Sequence, residues 1–231
     1  MLGQKFAFDE IEETNLMFKN IVFLGAPGSG KGTAANIAME RYGFQSISTG
    51  NIFRYNIRNA TPLGLKVKSV MDSGELVSDD LTNELVFDAL KNIDSSKGVV
   101  FDGYPRTISQ AYALDKIFYV DVAIRFNARD EAIISRLSSR RVCPECGTVY
   151  SSVRIPKVDG VCDNDGYELE TRDDDRPETI KNRLAVYHRQ AASLINHYKS
   201  KNKLFDIDTN SPNIDAQLAQ FAKIIKATDR D

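Results

Sequence analysis

A glycine-rich segment near the amino terminus combines residue types that bind phosphate. It reads Gly-Ala-Pro-Gly-Ser-Gly-Lys-Gly-Thr from Gly25 to Thr33, between an apolar run and a helical pattern. Glycines let successive backbone N–H groups converge on an anion, and the start of the following helix adds the positive end of its dipole. Lys31 adds a point charge suited to the terminal phosphates of a nucleotide. The segment therefore predicts a site for a nucleotide phosphate chain.

One position departs from the common phosphate-loop pattern G-x4-G-K-[ST]. Gly32 stands where Ser or Thr is expected, and Thr33 follows one place later. A flexible turn without a ligand is the alternative, but the strand, the glycines, the lysine and the helix all agree with phosphate binding. The loop alone leaves the reaction open, because a GTPase or an ATP-driven machine would share it.

Polar side chains that suit a second substrate follow two further apolar runs. Thr49 and Arg54 open a helical stretch after one run, and the other run is followed by Asp102, Gly103 and Arg106. The planar guanidinium of Arg suits a phosphate, and Asp102 is placed to order Mg²⁺ through its waters. Gly103 leaves room for a ligand to approach closely. Taken singly, such arginines are more often solvated surface charges, but their shared place at strand ends favours a phosphate site.

Three cysteines and an aspartate predict a metal site. They form C-x2-C-x15-C-x2-D, with Cys143, Cys146, Cys162 and Asp165 as the candidate ligands. Four ligands in two close pairs suit tetrahedral zinc, and Asp is an acceptable oxygen ligand among thiolates. A short irregular segment has little core of its own, so zinc would stabilise it. Four protein ligands leave no open position for a substrate, which makes the predicted role structural. Three free thiols in a reducing cell are the alternative.

Short apolar runs alternate with helical patterns, which predicts an α/β fold with a parallel sheet. Predicted strands are residues 21–24, 44–47, 98–101, 120–126 and 204–207. Predicted helices are residues 33–42, 79–90 with Ser78 as N-cap, 130–140, 179–199 and 214–226. Ligands of such sheets bind at the carboxyl ends of the strands, where the loop and the polar side chains above fall.

Two stretches interrupt the alternation and predict inserts in the core. Residues 49–77 have only helical pattern and turns, whereas residues 140–175 are rich in Cys, Gly, Pro and Asp. We expect a core of residues 20–48, 78–139 and 176–231, preceded by an N-terminal extension of residues 1–19. The extension is acidic and partly apolar, and both a short helix over residues 6–18 and a mobile segment stay open.

The composition is ordinary for a soluble globular enzyme of this length. The 231 residues are 42% hydrophobic and 27% charged, and the net charge of −2 argues against a nucleic-acid or anionic-membrane partner. The acidic first residues do not match a targeting signal, and we expect a cytoplasmic protein without a membrane span. Three clustered cysteines are too few for a disulfide framework.

The motifs taken together resemble those of adenylate kinases. G-x-P-G-x-G-K-G-T, S-T-G-[DN]-x-x-R, D-G-[FY]-P-R-T and R-x-D-D occur in that order, within a likeness that covers residues 20–228. The resemblance implies a P-loop kinase core with a five-stranded parallel sheet flanked by helices, a helical AMP-binding insert at residues 49–77 and a small lid at residues 140–175. It implies a monomer that catalyses ATP + AMP ⇌ 2 ADP with Mg²⁺. It also accounts for Gly32, because the family loop reads GKGT.

The resemblance assigns roles to individual residues. The implied ATP-binding residues are Gly28, Ser29, Gly30, Lys31, Gly32, Thr33, Arg136, Arg140, Val149, Tyr150 and Ser211. The implied AMP-binding residues are Thr49, Arg54, Leu76, Val77, Gly103, Arg106, Gln110, Arg172 and Arg183. The implied catalytic residues that position the phosphoryl group and balance its charge are Lys31, Arg106, Arg140, Arg172 and Arg183. Asp174 is the implied lid-hinge carboxylate that partners a catalytic arginine. The zinc ligands match the zinc-bearing subset of the family.

Some positions bear on base specificity and on the alternatives. Gln110 resembles the side chain that reads the adenine edge, and Thr107 is the adenine-type choice where pyrimidine monophosphate kinases usually carry Asn. Asn51 and Ser211 depart from the common Asp and Lys. A GTP:AMP phosphotransferase or another nucleoside monophosphate kinase is the alternative enzyme. A catalytically silent nucleotide-binding protein is the alternative from another class, which the complete set of basic residues disfavours.

Overall fold

The computed structural model describes residues 16–211 and 213–226. Residues 1–15, which hold most of the predicted extension, lie outside it. The helices in the described part are α1 (Lys31–Tyr42), α2 (Thr49–Arg58), α3 (Pro62–Ser73), α4 (Asp79–Leu90), α5 (Ile108–Asp115), α6 (Asp130–Ser138), α7 (Pro177–Ser200) and α8 (Ile214–Ile225). The strands are β1 (Asn20–Leu24), β2 (Gln45–Ser48), β3 (Val99–Asp102), β4 (Val122–Asn127), β5 (Arg141–Val142), β6 (Val149–Tyr150) and β7 (Leu204–Asp208). A 3₁₀ turn spans Asp173–Asp175.

Five strands form one parallel sheet in the order β2-β3-β1-β4-β7, which confirms the predicted architecture. The register pairs Asp102 of β3 with Ser48 on one side and with Phe23 on the other. The carboxyl ends of β1, β2 and β3 therefore meet at one edge. The glycine-rich loop leaves the middle of that edge, because it follows the central strand β1.

The two faces of the sheet carry separate apolar clusters. Successive side chains of β1 point to opposite faces of the sheet, so Ile21 and Phe23 belong to one cluster and Val22 and Leu24 to the other. Helices α1 and α8 cover the first face, and α4, α5 and α7 cover the second. All four strand side chains are buried, so the central strand is held from both sides. This rigid sheet fixes where the loops at its carboxyl edge begin.

Several predicted boundaries are wrong by a few residues, for local physical reasons. Helix α1 begins at Lys31 rather than residue 33, because Gly30 takes a left-handed conformation (φ 103°) and turns the chain directly into the helix. Strand β4 begins at Val122, since the Asp121 side chain accepts hydrogen bonds from the backbone N–H groups of Lys19 and Asn20 at the start of β1. Ser78 precedes α4 as predicted, but its side chain makes no capping hydrogen bond.

Helix α5 was not predicted, although its start carries a sequence signal. The Thr107 side chain accepts a hydrogen bond from the backbone N–H of Gln110 at 3.1 Å. Thr-x-x-Gln at this position is the pattern of a capping box. The helix is only eight residues long and directly follows the D-G-Y-P-R-T motif, so its apolar pattern is too short to predict a helix.

The two stretches predicted as inserts have their own small cores. Helices α2 and α3 fill most of residues 49–77 and pack around Phe53, Val67 and Val77. They cross so closely at Gly64 that an added Cβ would lie 2.1 Å from the backbone oxygen of Asn56. Residues 140–175 contain the antiparallel pair β5-β6 and a small buried cluster of the side chains Cys143, Tyr150, Cys162 and Leu169.

Candidate active site

A cavity of about 1550 Å³ opens along the carboxyl edge of the sheet. Most of the predicted site residues line it: Gly28, Gly30, Lys31, Gly32, Thr33, Thr49, Arg54, Leu76, Val77, Gly103, Arg106, Gln110, Arg136, Arg140, Val149, Arg172, Asp174 and Arg183. The glycine loop, α2 and residues 140–175, the segment predicted as a lid and here called the lid segment, thus line one cavity, although they are far apart in the sequence.

Three residues predicted to bind ATP do not line this cavity. Ser29 is fully buried beneath the loop, where its hydroxyl lies 3.3 Å from Lys31 Nζ. Tyr150 is buried in the small core of the lid segment, and its hydroxyl accepts a hydrogen bond from the backbone of Asp163. The backbone oxygen of Ser211 accepts a hydrogen bond from the side chain of Gln217 at 2.8 Å.

Lys31 is folded back onto its own loop. Its Nζ donates to the backbone oxygens of Gly25 and Ala26 at 2.8 and 2.7 Å. Burial lowers the pKa of Lys31 to about 8, against the opposing effect of Asp102. Gly28 lies over Leu137, where a Cβ would come within 2.8 Å of the leucine Cγ. The loop therefore needs glycine at that position, and the ammonium group of Lys31 is held against the loop by the two backbone oxygens.

The opposite wall is built around the backbone oxygen of Gly103. Thr49 Oγ1 and Arg106 Nε both donate to it at 2.8 Å. Arg54 Nη2 donates to Asn51 Oδ1 at 2.7 Å, so Asn at this position supports the arginine without a negative charge. Burial lowers the pKa of Arg54 to about 10. These contacts point two guanidinium groups and a hydroxyl into the same part of the cavity.

The 3₁₀ turn at Asp173–Asp175, directly before α7, orients two further arginines. Asp175 binds Arg140 through two hydrogen bonds of 2.6 Å each, from Nε and Nη2. Arg183 Nη1 lies 3.1 Å from Asp174 Oδ2 and 3.2 Å from Asp175 Oδ1. Burial raises the pKa of Asp174, but the surrounding arginines outweigh burial and lower it overall. Asp175 was not among the predicted site residues, although it is the last residue of the R-x-D-D motif that begins at Arg172.

Positive charge exceeds negative charge in the middle of the cavity. Burial, followed by the charges of Arg54 and Arg140, lowers the pKa of Arg172 to about 9. Burial and the charge of Arg183 also lower the pKa of Arg106. Placing several positive charges close together is unfavourable in free energy unless an anion lies between them. The cavity is therefore electrostatically suited to a polyphosphate.

The carboxylate predicted for Mg²⁺ lies between the two walls. Asp102 ends β3, and one of its oxygens accepts a hydrogen bond from Ser48 Oγ at 3.3 Å. A Cβ added at Gly32 would lie 3.6 Å from that same oxygen. Gly32 therefore keeps the glycine loop close to a carboxylate that is partly open to the cavity. Oxygen ligands of this kind suit Mg²⁺ and its bound waters.

The four predicted metal ligands meet in the lid segment. The ligand atoms of Cys143, Cys146, Cys162 and Asp165 all lie within 4.8 Å of one another. Cys146 Sγ and Cys162 Sγ are 3.5 Å apart, and Cys143 Sγ lies 3.3 Å from Asp165 Oδ2. Three thiols and one carboxylate facing each other form a donor set that fits a tetrahedral zinc ion.

Comparisons with known proteins agree with this geometry. The family model described as adenylate kinase matches residues 23–203. An adenylate kinase of Lachnospira eligens is 49% identical over 212 residues, which cover 89% of this chain and 98% of that protein. An adenylate kinase of Ruminiclostridium cellulolyticum is 50% identical over 190 residues, covering 80% and 89%. One from Acholeplasma laidlawii is 46% identical over 202 residues, covering 85% and 93%. The chain belongs to the adenylate kinase family.

Proposed function

We propose that this chain transfers the terminal phosphoryl group of ATP to AMP, reversibly, with two molecules of ADP as the product. One observation carries the proposal: the glycine loop and the wall formed by Thr49 and Arg106 line opposite sides of a single cavity, and several arginines line the middle of that cavity. Two phosphate sites on one cavity suit transfer between two nucleotides better than hydrolysis of one. The curated relatives described above bear the name adenylate kinase, which supports the same reaction.

The donor nucleotide is assigned to the glycine-loop side. In this proposal the loop N–H groups and Lys31 hold the β- and γ-phosphates. Arg136 stands beside the loop that follows β7, where its guanidinium donates to the backbone oxygen of Thr209 and lies 3.4 Å from that of Ser211. It is placed to cover the donor base together with Val149 across the cavity. The backbone of Ser211 is the candidate contact for the base edge.

The acceptor nucleotide is assigned to the opposite wall. Arg54 and Arg106 would hold the AMP phosphate, with Thr49 beside them. Leu76 and Val77 line the adjoining apolar part of the cavity, which suits the flat face of a base. Gln110 closes that end and is almost completely buried. The acceptor phosphate would then face the donor γ-phosphate across the arginine cluster.

Catalysis in this proposal rests on position and charge. Transfer spreads negative charge over the moving phosphoryl group, so fixed cations that meet it lower the barrier. Arg140, Arg172 and Arg183 are placed to do this, since all three line the middle of the cavity. Asp174 and Asp175 hold two of them in orientation before a ligand arrives. Asp102 would bind Mg²⁺ through water, and the bound ion would neutralise charge on the donor phosphates.

We keep the predicted division of the chain as part of the proposal, with residues 140–175 as a lid and residues 49–77 as the AMP-binding insert. Arg58 at the end of α2 donates to the backbone oxygen of Pro144, which lies between two of the metal-ligand cysteines. This contact joins the two inserts across the mouth of the cavity. A closed lid of this kind would exclude water, which would otherwise accept the phosphoryl group.

A structural zinc ion is proposed for the lid, with Cys143, Cys146, Cys162 and Asp165 as ligands. The convergence of these groups supports it, and so does the small size of the buried cluster around them. A segment with so little apolar core gains stability from a metal. A monomeric state and a cytoplasmic location stay predictions. No helix among residues 16–211 and 213–226 is long and apolar enough to cross a membrane.

A panel of substrates tests the proposed reaction. Purified protein is incubated with Mg²⁺, with ATP or GTP as donor, and with each of the four nucleoside monophosphates, while diphosphate formation is followed. We expect the highest turnover with ATP and AMP, and a loss of several orders of magnitude in Lys31→Ala with the fold intact. Absence of turnover with ATP and AMP, or a preference for GTP, would contradict the proposal.

A further inference from the structure

The side-chain amide of Gln110 is held by two neighbours that leave it only one orientation. Its Oε1 accepts a hydrogen bond from the backbone N–H of Arg106 at 2.7 Å. Its Nε2 donates to Asp79 Oδ1, also at 2.7 Å. The other oxygen of Asp79 accepts a hydrogen bond from Thr107 Oγ1 at 2.9 Å. A buried amide is therefore clamped between a group that only donates and a group that only accepts.

The chemistry of these neighbours decides which end of the amide is which. A backbone N–H can only donate, and an ionised carboxylate can only accept. If the Gln110 amide flipped, its NH₂ would face the N–H of Arg106 and its oxygen would face the carboxylate of Asp79. Both hydrogen bonds would be lost and both replaced by repulsion. With Gln110 only 2% exposed, water cannot compensate for either loss.

We propose that Asp79 is a positioning residue that selects adenine over guanine in the acceptor nucleotide by fixing the amide of Gln110. The inference rests on the proposed function, because it takes Gln110 as the group that meets the acceptor base. After its two protein contacts, Gln110 has one N–H and one oxygen lone pair left. Adenine matches that pair, since it offers an amino donor beside a ring-nitrogen acceptor. Guanine presents the reversed pair on its Watson–Crick edge, the O6 acceptor beside the N1–H donor, which only a flipped amide would match.

The position of Thr107 supports this arrangement. Thr107 is not among the residues that line the cavity, so its side chain does not meet a base directly. It caps α5 and donates to Asp79, which keeps the carboxylate turned toward Gln110. The adenine-type residue at this position therefore acts through Asp79 rather than by contact with the ligand.

The test compares the dissociation constants of AMP and GMP by titration calorimetry for wild type and three variants. Asp79→Asn replaces a pure acceptor with an amide that can also donate, which removes one of the two contacts that oppose a flip of the Gln110 amide. Thr107→Val removes the second hold on Asp79. Asp80→Asn is the matched control, because Asp80 is exposed and also lies in the first turn of α4, so that the same charge is lost from the helix.

We expect the GMP-to-AMP ratio of dissociation constants to fall about 10- to 100-fold in Asp79→Asn, in line with what a bidentate base contact contributes. Thr107→Val should lower the ratio by a smaller factor, and Asp80→Asn should leave it unchanged. An unchanged ratio in Asp79→Asn, or in Thr107→Val if the first variant does not fold, would overturn the inference even if both nucleotides bind more weakly. Binding is read without turnover, so a wild type that binds AMP selectively but transfers no phosphoryl group would count against the proposed function alone.

Discussion

Arg140 and Asp175 form a two-pronged ion pair in which both hydrogen bonds measure 2.6 Å. The carboxylate is completely buried, whereas the arginine side chain keeps 12% of its surface exposed. Asp175 Oδ1 also lies 3.2 Å from Arg183 Nη1. One buried carboxylate thus sets the separation of two arginines that line the cavity, from a turn at the base of the proposed lid.

The first prediction concerns this carboxylate. Asp175→Asn should lower kcat at least about tenfold, because a small displacement of a positioned charge weakens the transition state more than substrate binding. The free energy of unfolding should fall by about 1–3 kcal/mol, the usual contribution of hydrogen bonds to charged groups. Steady-state kinetics and urea unfolding measure the two effects. Asp173→Asn is the control, since Asp173 is exposed and its ion-pair distances are 3.8 Å. Equal kcat in both variants would mean that Asp175 has no positioning role.

A second prediction uses two glycines with the same backbone conformation. Gly103 and Gly160 both have φ of 74°, so alanine costs about the same backbone strain at each. At Gly103 the new Cβ would lie 2.8 Å from Arg106 Nη2 and 3.2 Å from Thr49 Oγ1, whereas at Gly160 it meets nothing within 4 Å. We expect Gly103→Ala to raise KM for AMP about tenfold or more and Gly160→Ala to leave it unchanged, at similar losses of stability. Similar KM values in the two variants would contradict the assignment of the acceptor wall.

The third prediction is a pH dependence. The pKa of Lys31 is lowered to about 8, so the ammonium is fully charged below that value and is lost as the pH rises through it. We expect kcat/KM for ATP to be level up to about pH 8 and to fall about tenfold per unit above it, because this parameter reports the free enzyme. For AMP at saturating ATP, where Lys31 is already bound to phosphate, the profile should stay level to higher pH, because the arginines of the acceptor wall keep their charge. A flat ATP profile up to pH 10 would be the opposing result.

The fourth prediction concerns the metal. Purified protein should contain close to one zinc per chain by elemental analysis, and Cys162→Ser should lower that content and the Tm together. Each kcal/mol of stability lost lowers the Tm by about 2–4 °C in a protein of this size. Asp159→Asn changes an exposed lid carboxylate outside the cluster and serves as control. An intact lid with zinc content near zero would show that the four ligands have another purpose.

Much of the fold was predictable because it depends on local patterns. Alternation of apolar strands and helices is enough to expect a parallel sheet, and strand ends of such a sheet meet at one edge. Lys31, Arg54 and Arg106 were therefore expected to converge, and they do line one cavity. The four candidate metal ligands were predicted from their spacing, and their ligand atoms do meet within 4.8 Å of one another.

Other features depend on tertiary contacts that no short pattern encodes. The motif R-x-D-D includes Asp174 and Asp175, but nothing in it says that Asp175 turns inward to meet Arg140. The hydrogen bond between Gln110 and Asp79 joins α5 to α4 across 31 positions of the sequence, so no local pattern predicts a role for Asp79. Ser29 and Tyr150 belong to segments that were predicted to bind ATP, but both side chains are buried away from the cavity. Adjacent residues of such a segment can point in opposite directions, one toward the cavity and one into the core.

The central claim is transfer between two nucleotides in one cavity, and ADP alone tests it most directly. The protein is incubated with ADP and Mg²⁺ as the only substrates, and the phosphorus NMR spectrum is followed to equilibrium. The account predicts that ATP and AMP form in equal amounts, with no release of inorganic phosphate. Unchanged ADP, or inorganic phosphate in place of ATP, would contradict it.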